Sequence, residues 1–152
     1  MLHLPDRMEI QLTDVSGQPL GIANVLLAIR FFFADRYYYG DLLPLTDNNG
    51  ATVADREGVR ARFEHNRHLF PMDYSVQLES CDQAIRLAVL DTRTIQERLK
   101  SAPENAMISA DAHALYAQAQ NQRVLATEAH IELPSTYSRV MTVPLAVQVA
   151  TA

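Results

Sequence analysis

The chain has 152 residues, 48% of them hydrophobic and 20% charged, with five glycines and seven prolines. That composition is ordinary for a folded chain able to bury a sizeable core, and it excludes disordered, collagen-like and low-complexity classes. A formal charge of −5 and a pI near 5.4 give no global attraction to phosphate backbones or anionic bilayers, so neither nucleic acid nor membrane is expected as a partner.

Cys81 is the single cysteine, which excludes an intramolecular disulfide and a cysteine zinc site. The first residues, Met1 to Arg7, lack a basic head followed by an apolar run, so a cytoplasmic location is the expectation. The longest apolar run, Val25 to Phe33, is interrupted by Arg30 and is too short to span a bilayer.

Residues 7–13 alternate, with Met8, Ile10 and Leu12 on one side and Glu9, Gln11 and Thr13 on the other, which predicts a strand with one wet face. Asp14 to Pro19 is a turn cluster. Residues 22–33 predict a long strand: Val25, Leu27, Ile29, Phe31 and Phe33 share one face, and Leu26, Ala28, Arg30 and Phe32 share the other. Tyr37 to Leu45 predicts the next strand, weakened by Pro44. Thr46-Asp47-Asn48-Asn49-Gly50 is a strong turn signal.

Short strands are then expected over Ala51–Ala54 and Val59–His65, the latter turning Val59, Ala61 and Phe63 inward and Arg60, Arg62 and Glu64 outward. Tyr74, Val76 and Leu78 alternate again, and Ala84 to Leu90 predicts a further apolar strand. From Asp91 the pattern changes. Capping-box spacing at Thr94-Ile95-Gln96-Glu97 and an Ala-rich stretch free of Gly and Pro predict a helical insert at about 92–121. Strand character returns over Val124–Leu133 and Arg139–Val149. Seven to eight short strands with one helical excursion predict a mainly β, Greek-key sandwich forming a single domain over 1–152.

Three local patterns in the first ninety residues resemble the transthyretin-like (prealbumin-like) sandwich family, which includes carboxypeptidase regulatory-like and Cna-B-like domains. They are Asp14-Val15-Ser16-Gly17-Gln18-Pro19-Leu20 followed by Ala23 to Leu27, then Leu45 to Ala51, then Asp73-Tyr74-Ser75-Val76. The resemblance implies a fold far more than an activity. One branch of that family comprises 5-hydroxyisourate hydrolases, marked by a C-terminal Tyr-Arg-Gly-Ser. The nearest string here, Ser135-Thr136-Tyr137-Ser138-Arg139, breaks the order and lacks the Gly.

No nucleophile elbow, phosphate loop, dinucleotide fingerprint or zinc-protease motif occurs. His65 and His68 would fall on opposite faces of a strand, so no metal is expected, and Asp47 to Gly50 lacks the remaining ligands of a calcium loop. No cofactor is expected, and a structural thiol is the expectation for Cys81. The aromatic runs Phe31–Phe33 and Tyr37–Tyr39 cannot all enter one core, because alternate residues face opposite sides.

The leading expectation is a non-catalytic protein-interaction or structural module that presents an aromatic hairpin and the helical insert to a protein partner or to a second copy in a homodimer. Its expected contact residues are Phe32, Tyr37, Tyr38, Tyr39, Arg60 and Arg62. The alternatives are a small-ligand binder or small hydrolase using a cleft between insert and sheet, lined by His65, His68, Arg60, Arg62, Tyr37 and Tyr39, and a carbohydrate-binding module built on tyrosine faces.

Overall fold

The computed structural model describes residues 4–33, 37–66, 77–82, 84–90, 124–125 and 127–149, the side chains of Tyr37 and Asn66 excepted. The expected insert at 92–121, and Tyr74 and Val76 of the expected strand preceding Ala84, lie outside the described residues. Those described form seven strands and one α-helix: β1 (Arg7–Thr13), β2 (Leu26–Phe33), β3 (Tyr37–Leu42), β4 (Ala51–Asp55), α1 (Arg56–Asn66), β5 (Ala84–Leu90), β6 (Thr127–Glu132) and β7 (Val140–Ala146). One sheet has the order β4-β1-β7 and the other β3-β2-β5-β6. Every pairing is antiparallel except that of β1 with β7. Among the described residues no helix is long and apolar enough to cross a membrane.

The two sheets form a sandwich because each strand offers one apolar face. Met8, Ile10 and Leu12 of β1 and Val143 and Leu145 of β7 meet Leu27, Ile29, Phe31 and Phe33 of β2 and Ile85, Leu87 and Val89 of β5 in one core cluster. Pro144 falls opposite Gln11 on β7, an edge strand, where a missing amide is tolerated.

The first two turns are built by aspartates. Asp14 Oδ1 accepts the amides of Ser16 and Gln18, both at 2.9 Å, and Gly17 takes a positive φ of 91°. Asp47 Oδ1 does the same for Asn49 at 2.9 Å and Ala51 at 3.0 Å. Gly50, at φ 74°, lies against the Leu20 carbonyl so closely that a Cβ would sit 1.8 Å from that oxygen. Between these turns the buried Thr46 hydroxyl accepts the Val25 amide at 3.0 Å and donates to the Ile22 carbonyl at 2.7 Å, which fixes the approach to β2.

The expected strand over Val59–His65 is instead part of α1. Val59 and Phe63 are buried four residues apart, as a helix face requires, while Ala61, which a strand would turn inward, is exposed. The N-cap settles the choice: Asp55 Oδ2 accepts the Gly58 amide at 3.0 Å. Arg60, Arg62 and Glu64 then project from the helix rather than from one strand face. Leu78, expected on a strand, is buried in a 3₁₀ turn over Leu78–Ser80.

Phe63 wedges α1 against the sandwich. Its ring meets Tyr39 edge-on at 5.1 Å and stacks with Phe33 at 6.0 Å, and Phe31 lies 6.4 Å from Tyr39. Phe63→Ala removes a fully buried ring and is expected to cost about 3–5 kcal/mol. Urea denaturation followed by far-UV circular dichroism checks this, and a loss near zero would show that α1 does not close the core.

Candidate functional site

The alternation that buries Leu27, Ile29, Phe31 and Phe33 turns Leu26, Ala28, Arg30 and Phe32 to the outer face of the four-stranded sheet. That face changes character along the strands. At one end Leu26, Ala28 and Leu90 are buried, yet they are not part of the cluster between the sheets. At the other end Arg30, Phe32, Tyr38 and Arg86 form a solvent-facing strip.

The register sets the strip's geometry. Arg30 lies directly opposite Arg86 on β5 and opposite Gly40 on β3, and Phe32 lies opposite Tyr38. Two like charges facing each other across a strand pair are destabilising by a few tenths of a kcal/mol to about 1. Each guanidinium turns to a ring instead: Arg30 lies 5.3 Å from the Tyr38 centroid and Arg86 lies 5.2 Å from that of Phe32. Such contacts supply about 0.5–1 kcal/mol at exposed sites, enough to offset the repulsion. Glu128 of β6 reaches Arg86 at 3.3 Å, and no carboxylate among the described residues pairs with Arg30. The strip therefore combines two aromatic rings with two cations and one exposed counter-charge.

The expected contact residues divide accordingly. Phe32 and Tyr38 belong to the strip, and Tyr38 is 54% exposed. Tyr39 is a correction: it is 1% exposed and packs against Phe31 and Phe63, so it is core and presents nothing to a partner. Tyr37 pairs with Phe33 in the ladder, but its side chain lies outside the described residues. Arg60 and Arg62 sit on α1 rather than on the expected strand, and both are engaged within the chain while remaining partly exposed. Arg60 pairs with Glu57 at 3.0 Å and with Glu79, and Arg62 donates from Nε to Asp41 at 2.7 Å.

Arg30 and Arg86 were not singled out as contact residues from sequence. The available signal was a charge in each of two otherwise apolar strands, on the same face as Phe32. What sequence could not supply was the pairing of β2 with β5, which brings the two arginines together.

Among the described residues no group of three or more His, Cys, Asp or Glu side chains converges on a point that could hold a metal ion. His65 is exposed at the end of α1, and His68 lies outside the described residues. The polar cleft expected between insert and sheet is not assembled by the described members of its lining, since Tyr39 is core and Arg60 and Arg62 are held in ion pairs on α1. Tyr137, in the string once compared with a hydrolase terminus, donates to Asp6 Oδ2 at 2.6 Å, and Asp6 Oδ1 pairs with Arg56 at 2.7 Å. This clasp joins the segments before β1 and β7 to the start of α1, and the carboxylate on its hydroxyl raises the phenol pKa.

Two buried groups have shifted acidities. Burial raises Asp41 above its ordinary 3.8, and the Arg62 charge offsets only part of that rise. Burial and the neighbouring Asp82 charge push the Cys81 thiol up to about 12, which leaves it a poor nucleophile.

Comparison with family models, curated proteins and solved structures finds no match.

Two outcomes follow from these acidities. Folded Asp41 holds its proton more tightly than the unfolded chain does, so its contribution to stability falls as pH rises from 3.8 through its raised folded value. Asp41→Asn is expected to remove that fall from a urea-midpoint profile against pH, and parallel profiles for the two proteins would contradict it. Native Cys81 is expected to resist iodoacetamide at neutral pH and to react fully in urea. Rapid native labelling would show an accessible thiolate.

Proposed function

We propose that this chain is a non-catalytic protein-interaction module that docks a protein partner on the open end of its four-stranded sheet. The observation that carries this reading is the strip itself: Arg30 and Arg86 facing each other in register, each against an aromatic ring, with one carboxylate, Glu128, on the Arg86 side. Aromatic and arginine side chains held rigidly on a sheet are the residue types that dominate binding energy at protein interfaces. A sheet strand also positions them more firmly than a loop would. The hairpin expected to present aromatic residues supplies Phe32 and Tyr38 to this strip.

A Greek-key sandwich of transthyretin-like type belongs to the same proposal. It is supported by the two aspartate-built turns at Asp14 to Gln18 and Asp47 to Ala51, which stand where the resemblance places them. A cytoplasmic site of action is part of it too. The carbohydrate reading is less well supported, because Arg30 lies over the Tyr38 ring and the Phe32 and Tyr38 planes are tilted by 44°, which leaves no flat platform for a sugar.

Site-specific photo-cross-linking in the source cells tests the proposal. With p-benzoylphenylalanine replacing Tyr38, discrete protein adducts are expected. With the same group replacing Thr142, exposed on β7 of the opposite sheet, none are expected. Arg30→Ala combined with Arg86→Ala is expected to reduce the adducts at position 38 by about tenfold, the effect of losing one strong interface residue. Equal labelling at both positions, or adducts indifferent to the arginines, would sink the reading.

A further inference from the structure

We infer that the partner engages as an extended strand added to the free edge of β3, with an acidic side chain opposite Gly40 reaching Arg30. This deepens the interaction reading above and rests on it.

The edge is defined by the ladder. Leu43 donates to the Leu27 carbonyl at 3.0 Å, so the alternate pairs Ile29–Asp41 and Phe31–Tyr39 exchange their bonds across the β2–β3 interface. The amide and carbonyl groups of Tyr38, Gly40 and Leu42 therefore point away from β2. Asp41 Oδ1 accepts the Leu42 amide at 3.0 Å and closes that end. Among the described residues the outward groups of Tyr38 and Gly40 meet no partner, and both residues are exposed.

The other edges are protected. β6 carries Glu128, His130 and Glu132 on its outer side, β7 carries Pro144, and β4 runs straight into α1. Among the described residues β3 has no such guard. Its one charge, Asp41, is taken by Arg62. Unguarded edges of this kind are where extended peptides add.

Charge names the occupant. A residue paired with Gly40 would share the outer face and continue the row Arg86, Arg30, Gly40. Strands lie about 4.8 Å apart, so its Cα would stand about 10 Å from that of Arg30. Gly40 puts no side chain in that gap, and the Arg30 guanidinium already leans toward β3, over Tyr38. The combined reach of an arginine and a glutamate spans the distance. The next outer-face residue of an antiparallel strand falls beside Tyr38 and Phe32, which favours an apolar side chain. The recognised pattern is acidic, any residue, apolar. A second copy pairing through its own β3 would bring no free carboxylate to Arg30, since Asp41 faces inward.

The test is fluorescence anisotropy of the full chain with the fluorescein-labelled peptide Ser-Thr-Glu-Thr-Leu-Thr-Ser. Saturable binding is expected, weakened about tenfold by replacing the peptide's Glu with Gln, by Arg30→Gln and by Gly40→Val, with unchanged circular dichroism. The nearest atoms to a Cβ at position 40 are Arg30 Cγ, the Ile29 carbonyl oxygen and the Tyr38 ring, each at 3.9 Å, an ordinary contact distance, so Gly40→Val is expected to fold. N-methylating the peptide's Glu or Leu amide, which face β3, should abolish binding, while N-methylating the Thr between them should not.

Equal affinity for the Glu and Gln peptides, indifference to Arg30→Gln, or tolerance of all three methylations would overturn the inference. So would no binding at concentrations on the order of 1 mM, or a dimer by sedimentation that Gly40→Val dissolves and the peptide does not. Failure here with Tyr38 cross-links intact removes only the strand-addition mode. Loss of the cross-links as well removes the interaction reading.

Discussion

A β-strand has two faces, and this molecule is organised by how β2 uses both. Its inner face delivers Leu27, Ile29, Phe31 and Phe33 to the space between the sheets, all of them buried. Because side chains alternate strictly, filling the core with that set commits Arg30 and Phe32 to the opposite side, and no rotamer change can undo it. β2 is also flanked on both sides, by β3 and β5, so whatever stands on its outer face is framed by fixed neighbours. The arginine and aromatic strip follows from that geometry.

The energetics of the strip differ from those of the core beneath it. Core residues such as Ile29 and Leu87 are stabilised by burial, which is non-directional and grows with area. Arg30 and Arg86 gain little from burial and face mutual repulsion. Their contacts with Tyr38 and Phe32 offset that cost without neutralising either charge. Such an arrangement is tolerated because the ring contacts offset the repulsion. The contrast with α1 is instructive, because there Arg60 and Arg62 already have carboxylates and offer a partner much less.

The β3 hairpin strand links these two regions. Its inner residues are structural: Tyr39 is packed by Phe63, and Asp41 is held by Arg62, so α1 clamps the strand from within. Its outer residues, Tyr38 and Gly40, are left exposed. The same clamp that buries Tyr39 holds Tyr38 and Gly40 in an extended strand. Burial of Asp41 makes this contact sensitive to pH: the folded state favours the protonated carboxyl, so the contribution of Asp41 to stability declines as pH rises.

Period-two alternation and apolar runs placed the strands β1, β2 and β5, because those segments are long enough to read, whereas parity within β3 was not resolved and Tyr39 was expected at the surface. The aspartate turns were legible for the same local reason: an Asp side chain satisfies its own neighbouring amides. Phe32 and Tyr38 could be read as sharing the outer side, since parity and one hairpin suffice for that. Val59 to Phe63 misled because its apolar spacing fits both a strand and a helix, and the cap at Asp55 and the wedge against Tyr39 and Phe33 chose between them. Only the tertiary structure placed Arg86 beside Arg30, joining strands more than fifty residues apart, and sent Arg60 and Arg62 to their carboxylates. The division has one cause: alternation and turn chemistry are local properties of the chain, whereas which strand becomes whose neighbour is decided by the shared core that brings them together.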